Sequence, residues 1–198
     1  MVEWTLTALT GVGLLLTLLM LGAQRRQLRA AASPVPGVWP AVSVLKPLKG
    51  VDADLEANLE TFFELDYPHY EIVFGVADAD DPALVVARRV AARFRKVSCR
   101  FAVGGPDVGF NPKVNNLANI LRQAHNEVLL ISDSNVAVEP SMLRNLVARL
   151  ESGGGGLVTS FIRGTRGSCL GASLESLQLN TFVMGGVAAV GGLFGQVC

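Results

Sequence analysis

Acidic side chains follow two predicted strands at the points where these strands end. Asp78, Asp80 and Asp81 come after one apolar stretch, and Asp133 comes shortly after the run Val-Leu-Leu-Ile. Ligands of open α/β sheets bind outside the carboxyl ends of the strands, so both acidic groups are expected to face one crevice. Carboxylate oxygens hold Mg²⁺ or Mn²⁺ together with substrate phosphates. The pattern therefore predicts a site for a divalent metal and a nucleoside diphosphate.

The same residues have a simpler interpretation. Asp and Pro are ordinary turn residues, and Asp-x-Asp-Asp-Pro at 78–82 is weak evidence for a site by itself. On spacing alone, Asp133 can equally start a turn before the helix that follows Pro140. Only the coincidence of the two acidic groups at one sheet edge favours the site.

A third candidate segment lies between the two acidic groups, where Asn111-Pro112-Lys113 opens a predicted helix. A positive charge in the first turn is unfavourable beside the positive end of the helix dipole. A bound anion would explain why a lysine occurs there. Lys113 is therefore a candidate phosphate contact. Asn111 can instead be simply the N-cap of this helix, and Asn115 and Asn116 can point to solvent. These alternatives stay open.

The elements that must position these residues alternate between strand and helix. Five strands are predicted, at 42–46, 70–77, 99–103, 128–131 and 157–161. Amphipathic helices lie between them, and the order predicts an α/β fold with a mostly parallel doubly wound sheet. The four apolar residues at 128–131 predict a strand that is covered on both faces. No Gly-x-Gly-x-x-Gly follows the first strand and no Walker motif occurs, which excludes the usual dinucleotide and P-loop sites.

The N-terminal region predicts a membrane anchor. Residues 4–23 carry no charge, and a helix of this length covers about 30 Å, the thickness of the bilayer core. Glu3 precedes the run and Arg25, Arg26 and Arg29 follow it, so the remainder of the chain is expected on the cytoplasmic side. A buried helix of a soluble protein is the alternative. The formal net charge of the 198 residues is zero, which gives no electrostatic case for nucleic acid.

Several motifs, in this order, resemble the ceramide glucosyltransferase family and its bacterial relatives, including the hopanoid-pathway glycosyltransferases. The motifs are Lys46 to Asp52, Asn58 to Pro68, Asp78 to Pro82, Asn111 to Asn116 and Ser132 to Ser134. The resemblance runs from about Val42 to the C-terminus. It implies a GT-A fold and a membrane-bound enzyme that transfers a sugar from a UDP-sugar to a lipid hydroxyl with inversion, aided by a divalent metal.

The resemblance also implies roles for individual residues. Asp78, Asp80 and Asp81 match the first aspartate motif, which contacts the nucleotide, with Asp81 favoured as its signature residue. Asp133 matches the second motif, near the diphosphate and the Mg²⁺ or Mn²⁺ ion. Pro112, Lys113, Asn115 and Asn116 match the segment that shapes the donor pocket.

The resemblance has departures at the C-terminal side. The family continues to a third aspartate, its general base, and to a Gln/Arg-x-x-Arg-Trp motif, and neither occurs here. Glu175 is the last carboxylate and has no counterpart as a base, so no catalytic residue is identified. We expect a membrane anchor at 1–24, a juxtamembrane linker at 25–41, and a GT-A nucleotide-sugar-binding domain at 42–198 whose C-terminal part is missing.

Two functions follow as expectations. The first is a membrane-anchored inverting glycosyltransferase, single-pass in a bacterial inner membrane, which uses a UDP-sugar donor and ceramide or a related lipid acceptor. The second is a non-catalytic nucleotide-sugar-binding module. A nucleotidyltransferase with two metals has less support, because no second Asp-x-Asp occurs at Asp133. Transfer of glucose to ceramide and of N-acetylglucosamine to a hopanoid polyol both fit the sequence.

Overall fold

The computed structural model of this chain describes residues 2–28, 33–52, 54–105, 107–153, 156–165 and 169–194. Residues 29–32 of the predicted linker and residues 195–198 of the C-terminal segment lie outside the described residues. In chain order, the elements are α1 Val2–Leu28, β1 Val42–Pro47, α2 Leu55–Phe63, β2 Tyr70–Val76, α3 Pro82–Arg93, β3 Ser98–Val103, α4 Pro112–Leu121, β4 Val128–Ile131, α5 Met142–Gly153, α6 Leu170–Gln178, a π-helical segment Leu179–Val183, and α7 Met184–Phe194.

The chain forms two compact units. The sheet unit is Pro34–Ser152, and the terminal unit combines Met1–Ser33 with Gly153–Cys198. The predicted boundaries after residues 24 and 41, and the predicted single domain from 42 to 198, stay predictions.

The sheet unit is built on four parallel strands in the order β3-β2-β1-β4. The chain moves outward in one direction from β1 through β2 to β3. It then returns over the sheet, and β4 pairs with the other side of β1, with Leu45 opposite Ile131. The order of strands therefore reverses between β1 and β4. In open α/β sheets the crevice at such a reversal, outside the carboxyl ends of the strands, is the usual ligand site.

Helices cover both faces of this sheet. On one face, α2, α3 and α5 pack on β1 and β2 through a cluster that includes Leu59, Phe62, Phe74 and Val147. On the other face, Ile120 of α4 packs with a smaller cluster from the three strands β1, β2 and β3. The predicted α/β fold with a parallel doubly wound sheet is confirmed.

Two predictions about the last strands are wrong. Residues 157–161 form no strand, because a strand requires a paired neighbour and these described residues have none. Strand β4 is not covered on both faces: its residues alternate, and Leu129 and Ile131 are 40% and 56% exposed. Helix α4 covers β1, β2 and β3 on that face, and β4 lies at the edge of the sheet.

The terminal unit contains the predicted membrane helix. Residues 2–26 of α1 are long and apolar enough to cross a membrane, and the apolar window is not buried in the structure. Helix α1 packs against α7 where Gly185 lies close to Met20, and the Gln24 side-chain amide donates to the Asn180 carbonyl at 3.0 Å. A long exposed apolar helix favours a membrane span over the buried helix of a soluble protein.

Candidate functional site

A pocket of about 570 Å³ lies at the carboxyl ends of β1 and β2, beside the segment that follows β4. Predicted site residues Asp78, Asp81, Lys113, Asn116 and Asp133 all line it. Asp80 and Asn115 are not among its lining residues. The predicted crevice therefore exists at the reversal of strand order, and it brings together five of the seven predicted donor-site residues.

Lys113 and Asp133 form an ion pair across this pocket. The Lys113 Nζ lies 2.6 Å from the Asp133 Oδ1, and both side chains are about half exposed, at 51% and 48%. The other Asp133 oxygen has no hydrogen-bond partner among the described residues. Solvent-exposed pairs of this kind contribute little to folding, so both charges can be exchanged for those of a ligand at small cost.

Asp81 has a structural role that its sequence position only partly revealed. Its side chain caps α3 by accepting the Ala83 N–H at 2.9 Å, and Pro82 occupies the first helical position. Both of its oxygens also accept the Gly50 N–H, at 3.0 and 3.1 Å. Gly50 has a φ of +65°, a conformation that favours glycine. Asp81 therefore ties the segment after β1 to the start of α3, and nucleotide contact by Asp81 stays a prediction.

Asp78 and Asp80 lie in the turn that follows β2. The Asp78 Oδ1 accepts the Asp80 N–H at 3.0 Å, which is the local hydrogen bond that shapes an aspartate turn. Both side chains are exposed. Asp78 faces the pocket and remains available to a ligand, whereas Asp80 does not line it.

The asparagines at the start of α4 hold the backbone around Lys113. Asn111 is the N-cap of α4 and accepts the Lys113 N–H at 3.0 Å, as its simpler interpretation predicted. Asn115 accepts the N–H groups of Val108 and Gly109, at 2.9 and 3.0 Å, so it fixes the loop before the helix. This loop and cap determine where the Lys113 side chain begins.

Asn116 is buried rather than turned to solvent, so that alternative is wrong for this residue. Its amide donates to the Gly75 carbonyl at 2.9 Å and to the Leu48 carbonyl at 3.4 Å. A side chain at Gly75 would place its Cβ 2.2 Å from Ile120 and 2.5 Å from the Asn116 Oδ1. Glycine at position 75 therefore lets α4 approach the ends of β1 and β2 closely enough for Asn116 to join them.

Lys46 lies behind this pocket and was not among the predicted site residues. It lies near the end of β1, and its side chain is fully buried. Its ammonium donates to the Asp133 main-chain carbonyl at 2.6 Å and to the Ser132 hydroxyl at 3.4 Å, and it lies 3.7 Å from the centre of the Phe62 ring. Burial lowers the pKa of Lys46 to about 7, although the Asp133 charge raises it. A lysine within an apolar strand was the signal in the sequence.

The carboxylates of the pocket fit a metal ion that is held jointly by the protein and by a bound nucleotide. The described residues contain no group of three or more His, Cys, Asp or Glu side chains that could hold a metal by themselves. Mg²⁺ and Mn²⁺ need no such cage when a nucleotide is present, because one or two carboxylates and the substrate phosphates suffice. Asp133, half exposed with one unpartnered oxygen, meets this requirement.

Comparisons with known proteins agree with the fold and with the resemblance to ceramide glucosyltransferases. A mannosyltransferase from Pyrobaculum calidifontis, solved in complex with GDP-Man and Mn²⁺, matches 76% of this chain and 44% of its own with a TM-score of 0.58 and 24% sequence identity. At this identity the match supports the fold, which is of the GT-A type.

Curated relatives match about half of the chain. A ceramide glucosyltransferase of Caenorhabditis elegans is 38% identical over 97 residues, which are 49% of this chain and 21% of the relative. A ceramide glucosyltransferase of Komagataella phaffii is 38% identical over 109 residues, 53% of this chain and 21% of the relative. The matches thus span about a fifth of the length of these relatives. The model of "Glycosyl transferase family 21" matches residues 5–198, and the chain therefore belongs to that family.

Proposed function

We propose that this chain binds a UDP-sugar and a divalent metal ion at the Asp133–Lys113 pocket, as part of a membrane-anchored inverting glycosyltransferase that glycosylates a lipid hydroxyl. The observation that carries the proposal is the exposed Lys113–Asp133 pair in a pocket at the reversal of strand order. One side chain suits a metal ion and the other suits a phosphate. Family membership supports sugar transfer as the reaction.

The charges of the pocket match a metal diphosphate. Asp133 would hold Mg²⁺ or Mn²⁺ through one carboxylate, and Lys113 would move from Asp133 to a phosphate oxygen. Asp78 and Asp81 lie on the β2 side of the pocket, where the nucleoside would bind. When bound, the metal ion neutralises charge on the departing diphosphate.

Inversion sets the direction of the chemistry. The acceptor hydroxyl attacks the anomeric carbon from the face opposite the UDP group, the bond from that carbon to the diphosphate oxygen breaks, and its electron pair leaves with UDP. A general base takes the hydroxyl proton. We assign this base to no residue of the chain, and the residues named above hold and orient the donor.

The first helix supports a location at the membrane, where a lipid acceptor would be found. Helix α1 would anchor the enzyme in the bilayer, and the bacterial inner membrane is the expected location. Arg25 and Arg26 in its last turn support a cytoplasmic sheet unit, since positive charge favours the cytoplasmic side. The relatives named ceramide glucosyltransferase support ceramide or a similar lipid as the acceptor. Glucose and N-acetylglucosamine remain equal candidates for the sugar.

The test is calorimetric titration of the full chain in detergent with UDP-glucose or UDP-N-acetylglucosamine, with and without Mn²⁺. We expect Mn²⁺-dependent binding, and Asp133→Ala should abolish it while the melting temperature stays close to that of the parent. Glu64→Gln changes an exposed carboxylate at the end of α2, outside the pocket, and serves as the matched control.

The outcomes separate the candidates. Unchanged affinity in Asp133→Ala would refute the metal site. Binding without transfer of labelled sugar to ceramide or a hopanoid polyol would favour the alternative function, a nucleotide-sugar-binding module. Transfer to one of these lipids would establish both the activity and the acceptor class.

A further inference from the structure

We propose that Lys46 is a positioning residue of the donor site, which holds the Ser132–Asp133 backbone so that the Asp133 carboxylate faces the pocket. Lys46 itself is fully buried and does not line the pocket. It would act through Asp133, and the inference therefore rests on the proposed function of that residue.

Burying the Lys46 side chain is costly. Removing an ammonium group from water is unfavourable unless a carboxylate or several hydrogen bonds compensate. Among the described residues, the hydrogen-bond acceptors of the ammonium are neutral, the Asp133 carbonyl and the Ser132 hydroxyl, and the face of the Phe62 ring lies beside it. The charge of the Asp133 carboxylate offsets only part of the cost of burial. A methionine of similar length would fill the same space without this cost. Packing alone therefore does not account for a lysine at this position.

Lys46 also constrains the main chain of Asp133. The last backbone hydrogen bond from β1 to this segment runs from the Ser132 N–H to the Leu45 carbonyl, at 3.1 Å. Asp133 lies beyond the end of that ladder, and the other bond that its carbonyl accepts among the described residues is a long one of 3.4 Å from the Val136 N–H. The 2.6 Å bond from Lys46 is much the shorter of the two and therefore constrains the Asp133 main chain more strongly.

Lys46 also lies beside the reversal of strand order. It belongs to β1, Asp133 follows β4, and the order of the sheet reverses between these two strands. The hydrogen bond from Lys46 to the Asp133 carbonyl joins β1 to the segment after β4. Residues of both, Pro47 and Asp133, line the pocket. Groups that orient a ligand residue in this way affect ligand affinity without touching the ligand.

The experiment measures binding of UDP to the full chain in detergent over a series of Mn²⁺ concentrations. In Lys46→Met, we expect the Mn²⁺ concentration for half-maximal UDP binding to rise about tenfold or more. The weak binding of UDP without metal should stay unchanged, and the melting temperature without ligand should stay equal or rise. A merely structural role predicts a lower melting temperature and equal losses with and without metal.

The matched control is Leu45→Met, which alters a neighbouring buried residue of β1 without a change of charge. It should leave the Mn²⁺ dependence as in the parent. Should Lys46→Met fail to melt cooperatively, Lys46→Leu is tested by the same criteria, because leucine also removes the donor and suits a buried position.

Three results overturn the inference: parental Mn²⁺ dependence in Lys46→Met, equal losses with and without metal, or failure of both Lys46 variants to fold. If the parent itself shows no Mn²⁺-dependent UDP binding, or Asp133→Ala retains it, the proposed function fails instead. Loss in Asp133→Ala together with parental behaviour of Lys46→Met rejects the role of Lys46 alone.

Discussion

The two ends of the same parallel sheet use carboxylates in opposite ways. At the amino end, the Glu71 side chain is 7% exposed and accepts hydrogen bonds from the Ser43 hydroxyl, the His125 N–H and the Arg100 guanidinium, at 2.7, 2.8 and 3.1 Å. At the carboxyl end, the Asp133 side chain is 48% exposed, and Lys113 is its one partner in the described part of the chain. A carboxylate whose oxygens are all used stabilises the fold, whereas one with a spare oxygen can bind a ligand.

Cavity size does not distinguish these two ends. The pocket beside Glu71 has a volume of about 560 Å³ and the pocket beside Asp133 about 570 Å³. What differs is the number of partners that each carboxylate already has. The comparison predicts that mutations at the amino end change stability and not donor binding, and that mutations at the carboxyl end do the reverse.

Glu71→Gln should have the largest effect on stability. An amide oxygen can still accept from Ser43 and His125, but the amide NH2 cannot accept from the Arg100 guanidinium, which loses its buried charged partner. We therefore expect a loss of about 2–3 kcal/mol in the free energy of unfolding. Denaturant unfolding measures it. In the control Glu56→Gln, which removes an exposed partner of Arg89 and Arg93, the loss should stay below about 1 kcal/mol. Equal losses in both variants would contradict the comparison, as would a loss of donor affinity in Glu71→Gln.

The pH dependence of stability sharpens the same contrast. Burial raises the pKa of Glu71, but the hydrogen bonds from Ser43, His125 and Arg100 outweigh it and lower the pKa below its usual value of 4.5. Because the folded pKa is lowered, the contribution to stability is complete above pH 4.5 and is lost as the pH falls through the folded pKa. Glu71→Gln should reduce this loss in acid unfolding curves. Parallel curves for the parent and the variant would exclude Glu71 as its source.

Asp81 tests the boundary between the two kinds of carboxylate, because it lines the pocket and also caps α3. Asp81→Ala should lower the free energy of unfolding by about 1 kcal/mol through loss of the cap. Asp81→Asn retains a good capping side chain, so its stability should stay close to that of the parent. A loss of UDP affinity in Asp81→Asn, measured by calorimetry, would support the nucleotide contact that the family resemblance implies. Parental affinity would leave Asp81 with a structural role only.

The sequence predicts most of this fold because its signals are local. Apolar strands and amphipathic helices alternate up to residue 153, and parallel strands bring their carboxyl ends to one edge, which places Asp78 and Asp133 at the same pocket. The fifth strand was predicted from apolar residues alone at 157–161. Strand formation depends on a partner, and apolar residues cannot specify one.

The partners of polar side chains were the part that the sequence could not reveal. Asn116 and Lys46 make their hydrogen bonds to main-chain carbonyls that are distant in sequence, at Gly75 and Asp133. Such contacts depend on the approach of elements to within hydrogen-bond distance, which no local pattern encodes. The Asn111 cap, by contrast, bonds two residues along the chain and was predictable.

Lys113→Met should have the smallest effect on stability and a clear effect on binding. Its ion pair is exposed, so we expect the free energy of unfolding to change by less than about 0.5 kcal/mol. Loss of a charged phosphate contact should weaken Mn²⁺-dependent UDP binding by about tenfold.

Lys96→Met is the matched control, since Lys96 is an exposed lysine beside the pocket at the amino end. If Lys96→Met weakens UDP binding as much as Lys113→Met does, general charge rather than a phosphate contact attracts the nucleotide. If Lys113→Met instead lowers stability and leaves UDP affinity unchanged, the pair with Asp133 is structural, and the two ends of the sheet do not differ in the way proposed.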